Sequence, residues 1–121
     1  MKLVFVCSKF AGDEERNIKK AQGYCRFVVA QGHQPIAPHL HYPQFMEDAD
    51  LTARALGMAF SRRLLELADE VWVFLGNRAL PSAGMAAEIE YAGKLELRKP
   101  VLFYNDRCER INYEEVLSHD L

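Results

Sequence analysis

Two apolar patterns alternate along this chain. Short unbroken runs, Leu3-Val-Phe-Val-Cys7 and Val71-Trp-Val-Phe-Leu75, read as strands buried on both faces. Between them Ile18, Ala21, Cys25, Val28 and Val29 recur at helical spacing, with Asp13 placed to cap the start and Gly32 to end the helix. Leu51, Leu56, Phe60, Leu64 and Leu67 mark a second helix, capped by Asp50. Pro35 to Pro38 reads as a short second strand and Glu70 to Leu75 as the third. Gly84 to about Leu97 reads as the third helix, Pro100 to Tyr104 as the fourth strand, and Glu114 to Ser118 as a short terminal helix. His39 to Asp50 has little periodicity and reads as a long loop, of a kind that often carries function. Strands alternating with helices predict a single three-layer α/β domain over residues 1–121. Its parallel sheet would have four or five strands, right-handed crossovers and helices on both faces.

Composition narrows the partners. Of 121 residues, 50% are hydrophobic, which suits one domain with one core. No run of about 18 apolar residues occurs, so no membrane span is expected. The opening Met1-Lys-Leu-Val-Phe-Val reads as a strand rather than a leader. The net charge of −2, from 15 basic and 17 acidic residues, argues against a nucleic acid polymer as partner. It leaves room for a single nucleotide held by a local phosphate nest. The three cysteines, without CxxC spacing, fit a reducing cytoplasm and no disulfide framework.

The chemistry concentrates at Pro81-Ser-Ala-Gly-Met-Ala-Ala-Glu88. This segment follows the third strand and opens the third helix, where a parallel α/β fold faces its ligand crevice. Glu88 has two readings. It is an acid favoured near a helix start, or an ionised carboxylate able to attack an electrophilic sugar carbon and form a covalent intermediate. Ser82 and Gly84 form either an N-cap and tight turn or a phosphate and hydroxyl site of side-chain oxygen and free backbone N–H groups. The loop Ser8-Lys-Phe-Ala-Gly-Asp13 after the first strand supplies Ser8 and Gly12 to the expected ligand-binding set. It is neither GxGxxG nor a Walker loop. His39 leaves the second strand toward the crevice and is read as a ligand contact. His39-Leu-His41 has no third ligand at recognisable spacing, so no metal and no organic cofactor are expected. His33 and His119 read as surface residues, Trp72 and Phe74 as core, and Arg62-Arg63 as a solvated helix face.

With Ala68-Asp69, the strand after it and Pro81-Ser-Ala-Gly-Met-Ala-Ala-Glu88, most of the chain resembles the nucleoside 2-deoxyribosyltransferase-like superfamily. The resemblance implies a Rossmann- or flavodoxin-like sheet and Glu88 as the nucleophile that attacks C1′ and releases the base. Locally it is similar to the branch that hydrolyses nucleoside 5′-monophosphates, which implies Ser82 and Ser8 as phosphate ligands and His39 in the pocket. Cys7-Ser8, Gly12-Asp13, Asn17, Tyr24-Cys-Arg-Phe27 and Pro35-Ile-Ala-Pro-His39 also resemble small bacterial and phage members of unassigned activity. The active families carry an acid eight positions before the residue equivalent to Asp69; here that residue is Ser61. Glu47 or Asp48 from the long loop would have to replace it. The expected function is therefore cleavage or exchange of an N-glycosidic bond. The alternatives are a non-catalytic nucleotide-binding or sensing domain and a purely structural or partner-binding protein. The resemblance, with the apolar content of the Leu51–Leu67 helix, further implies a homo-oligomer, most simply a twofold dimer.

Overall fold

The computed structural model describes residues 1–47, 50–76, 80–94 and 96–112. Strand β1 (Leu3–Cys7) leads into helix α1 (Glu14–Ala30), whose N-cap Asp13 accepts the Arg16 backbone N–H. Gly32, at φ +86°, turns the chain into β2 (Gln34–Ile36). The expected long loop contains two single 3-10 turns, Pro38–Leu40 and Tyr42–Gln44. Helix α2 (Leu51–Leu67) starts at Asp50, whose carboxylate accepts the Thr52 N–H at 2.8 Å. Then follow β3 (Glu70–Phe74), α3 (Ala83–Ala92), β4 (Val101–Tyr104) and β5 (Arg110–Ile111). The expected terminal helix at Glu114–Ser118 lies outside the described residues.

Two expectations need correction. Helix α3 stops at Ala92 rather than near Leu97, because Gly93 caps it and Lys99 N–H bonds back to the Ala92 carbonyl at 2.9 Å. The sheet is not wholly parallel: β5 pairs antiparallel with β4, while the other three pairings are parallel.

The five strands lie in the order β2-β1-β3-β4-β5. The chain moves one way from β1 to β2 and the other way to β3 and β4, so the topological switch falls between β1 and β3. Ligands bind beyond the carboxyl ends of the strands at such a point. Alternation along the strands divides the core. Val4, Val6, Trp72 and Phe74 face α1 and pack with Tyr24 and Val28. Phe5, Cys7, Val71, Val73 and Leu75 face α2 and α3 and pack with Leu65, Met85 and Ala92. At the opposite end of the sheet, Asp69 ties β1 to the end of α2. Its carboxylate accepts the Leu3 N–H at 2.7 Å and its own N–H donates to the Leu3 carbonyl at 2.8 Å. The result is one α/β domain with helices on both faces. No helix among the described residues is long and apolar enough to cross a membrane.

Candidate functional site

Along α3, Met85, Glu88 and Ala92 share one stripe, at i, i+3 and i+7. Met85 and Ala92 are buried in the core. Glu88 is thus an acid on the inward face of its helix, and it lines a cavity of about 870 Å³. Strand parity brings Cys7 to the same place. Its thiol donates to Glu88 Oε1 with Sγ at 3.4 Å, and the Ser61 hydroxyl of α2 also donates to this carboxyl. Burial, with the Glu88 charge beside it, holds the Cys7 thiol well above its ordinary range, so it remains an S–H donor.

Burial pushes the Glu88 carboxyl up to about 7, against the opposing pull of the Cys7 and Ser61 donors. This corrects the expectation of a fully ionised carboxylate. The helix-terminal field acts mainly within the first turn. Glu88 lies beyond that turn of a helix starting at Ala83, where desolvation dominates.

Ser8 follows β1 directly. It is 3% exposed, its Oγ has no hydrogen-bond partner among the described residues, and it lines the same cavity as Glu88. Ser82 also lines the cavity while its Oγ accepts the Met85 N–H at 3.3 Å, so it is an N-cap in this state. Gly84 lines the cavity next to it, and a Cβ built there would meet nothing within 4 Å, which leaves that stretch of backbone open to a ligand. His39 reaches the cavity from the 3-10 turn after β2, with its ring stacked on Phe10 at 4.9 Å. Gly12 differs from the others. It does not line the cavity but takes φ +102° in the turn before α1, a backbone shape that favours glycine.

Ser61 is buried against Glu88, so the position expected to carry an acid touches the same carboxyl. Glu47 lines the cavity; Asp48 lies outside the described residues. Arg62 and Arg63 are exposed, as expected of a solvated helix face, and Arg62 has a further place. It lines the cavity and lies over the Tyr91 ring at 5.5 Å. His33 is half-buried rather than exposed, edge-on to Trp72 and accepting the Lys2 N–H. His41 packs outside on Tyr42 and Phe45, and His119 lies outside the described residues. Among the described residues no group of three His, Cys, Asp or Glu is placed to hold a metal. Trp72 and Phe74 are core.

Cys7 and Phe10 were not singled out from sequence for this site. The signal for Cys7 was available: it shares strand parity with Phe5, on the face that meets α3. In sum, the site is a roomy cavity at the switch point. It has one near-neutral carboxyl in its wall and one buried, unpaired hydroxyl beside a helix N-terminus. Such a site can offer a nucleophile and hold an anion.

Solved structures carry the same architecture. The 2-deoxyribosyltransferase of the psychrotolerant bacterium Bacillus psychrosaccharolyticus aligns over 93% of this chain and 78% of its own, with a TM-score of 0.66 and 19% identity. The 2-deoxyribosyltransferase from Leishmania mexicana aligns over 93% of this chain and 80% of its own, with a TM-score of 0.58 and 15% identity. At such identities the likeness speaks for the fold. No curated protein sequence matches the chain. Residues 2–102, most of the chain, match one family, and the chain belongs to that family, described as Domain of unknown function (DUF7768).

Proposed function

We propose that this chain, as one deoxyribosyltransferase-like domain, cleaves or exchanges the N-glycosidic bond of a nucleoside or nucleoside 5′-monophosphate, with Glu88 as nucleophile. The observation that carries this reading is the Glu88 carboxyl in the wall of the large cavity, held by two donors at a pKa of about 7. The ionised carboxylate attacks C1′. The C1′–N bond breaks, the base leaves with its electron pair, and a glycosyl ester on Glu88 forms. Water or a second base then attacks C1′ and returns the carboxylate. The leaving base needs a proton; Glu47, one of the acids expected to give it, lines the cavity, as does Glu14. The 5′-phosphate rests at the α3 N-terminus, where the unpaired Ser8 hydroxyl, Ser82 and the amides near Gly84 converge. His39 and Phe10 stack beside the ligand.

Ser61 favours a second reading. With a serine where the related enzymes carry an acid, the domain would bind nucleotide without turning it over. Ser61→Asp separates the two. A gain in base release of roughly a hundredfold, the scale of a restored general acid, marks an enzyme short of one group. Tight binding with no gain marks a sensor.

The test is incubation with a panel of nucleosides and 5′-monophosphates and chromatography for free base. The expected result is base released by the parent chain and nearly none by Glu88→Ala. Full activity in that variant removes Glu88 from the mechanism. We also infer that two copies associate, because Leu56 and Leu67 of α2 remain exposed and Phe60 lies on the same stripe.

A further inference from the structure

A second cavity, of about 380 Å³, adjoins the first and shares Ser8, Ser82 and Met85 with it. Its wall carries Lys9, Arg16 and Lys20 against a single acid among the described residues, Asp13. The Asp13 carboxylate already accepts the Arg16 backbone N–H at 3.2 Å. None of the three cations has an ion-pair partner among the described residues. Asn17 fixes the loop that presents Lys9. Its Nδ2 donates to the Phe10 carbonyl at 2.9 Å and the Ala11 carbonyl at 3.3 Å. At the boundary of the two cavities lies Ser8, whose buried Oγ has no partner among the described residues. Leaving such a hydroxyl unsatisfied is destabilising, a penalty that a ligand oxygen would remove.

We propose that this second cavity receives a second phosphoryl group, so that the preferred ligand is a nucleoside 5′-diphosphate or a longer phosphate chain. The inference rests on the reading of the main cavity as a nucleotide site. Glu88 lies about 7.5 Å along the helix axis from Ala83, at 1.5 Å per residue. That is the scale of the reach across a ribose from C1′ to its 5′-phosphate, so a first phosphate falls at Ser8 and Ser82. The next phosphate must lie farther from Glu88, and the space beyond Ser8 and Ser82 is the basic cavity. Two lysines offer point charges there and the arginine a planar bidentate fork, both suited to a phosphate chain. No bond to phosphorus is made or broken, and the glycosidic chemistry is unchanged.

The test is calorimetric titration of the full chain carrying Glu88→Gln, which removes turnover. The probes are inorganic phosphate, inorganic pyrophosphate, and the four common ribonucleoside 5′-mono- and diphosphates. Pyrophosphate should bind about tenfold tighter than phosphate, and the best diphosphate about tenfold tighter than its monophosphate. Arg16→Ala and Lys20→Ala should each weaken diphosphate binding about three- to tenfold and monophosphate binding less than about twofold. Equal affinity for mono- and diphosphates, equal losses for both in the variants, or no binding of any phosphate compound would overturn the proposal. Base release by the parent chain is scored separately. Release without a diphosphate preference ends this inference and leaves the glycosidic reading. A diphosphate preference without release from any ligand leaves the anion cavity and ends the glycosidic reading.

Discussion

At the residue scale, the balance at Glu88 governs the account. Desolvation raises its carboxyl from an ordinary 4.5 to about 7 despite donors from Cys7 and Ser61. The folded chain therefore holds its proton more tightly than the unfolded chain. Between pH 4.5 and 7 the folded state binds more protons, so stability falls as pH rises through that window. A shift of this size corresponds to about 3 kcal/mol as an upper scale, fully expressed above pH 7. Glu88→Gln removes the titration. Urea unfolding of parent and variant at pH 5 and pH 8 should show the parent losing about 2–3 kcal/mol relative to the variant at the higher pH. Parallel behaviour of the two proteins would mean that the carboxyl is not held in this buried state.

At the element scale, the parts most legible in the sequence were those whose signals are local. Asp13 and Asp50 cap α1 and α2 as their side-chain chemistry predicts, and the unbroken apolar runs became β1 and β3. The end of α3 was misread because apolar spacing continues past Gly93 while the backbone turns back at Lys99. Strand β5 has two residues and no periodicity of its own. It exists because the Asn105 side chain holds the turn, accepting the Arg107 and Glu109 N–H groups, and so lays Arg110 and Ile111 on β4. The candidate site divides in the same way. Glu88, Ser82 and Gly84 could be read from one segment. The Cys7 and Ser61 contacts depend on how α2, α3 and β1 dock, and the basic cavity draws Lys9 and Lys20 from separate elements. The α3 N-terminus yields a prediction at this scale. Ser82→Ala should cost about 1 kcal/mol of stability through the lost cap, and should weaken a 5′-monophosphate more than the matching nucleoside. Equal loss for both ligands in a titration would leave Ser82 as a cap alone.

At the scale of the whole molecule, the switch between β1 and β3 places both cavities at one end of the sheet and the Asp69 tie at the other. The proposed binding site and the Asp69 tie thereby occupy opposite ends. The exposed Leu56 and Leu67 lie on α2, whose inward side contributes Ser61 to the Glu88 site. Association through that helix would buttress the cavity. Light scattering at micromolar concentration should return the mass of a dimer or larger assembly, and a stable species near 13.8 kDa would contradict this. The central claim is covalent chemistry at Glu88, and it is met most directly by mass spectrometry of the chain quenched in acid during turnover of the best ligand found. The peptide bearing Glu88 should carry the added mass of the ligand's glycosyl group, and the Glu88→Gln chain should carry none. Base release with an unmodified Glu88 peptide, at an equal rate in the Glu88→Gln chain, would contradict the account.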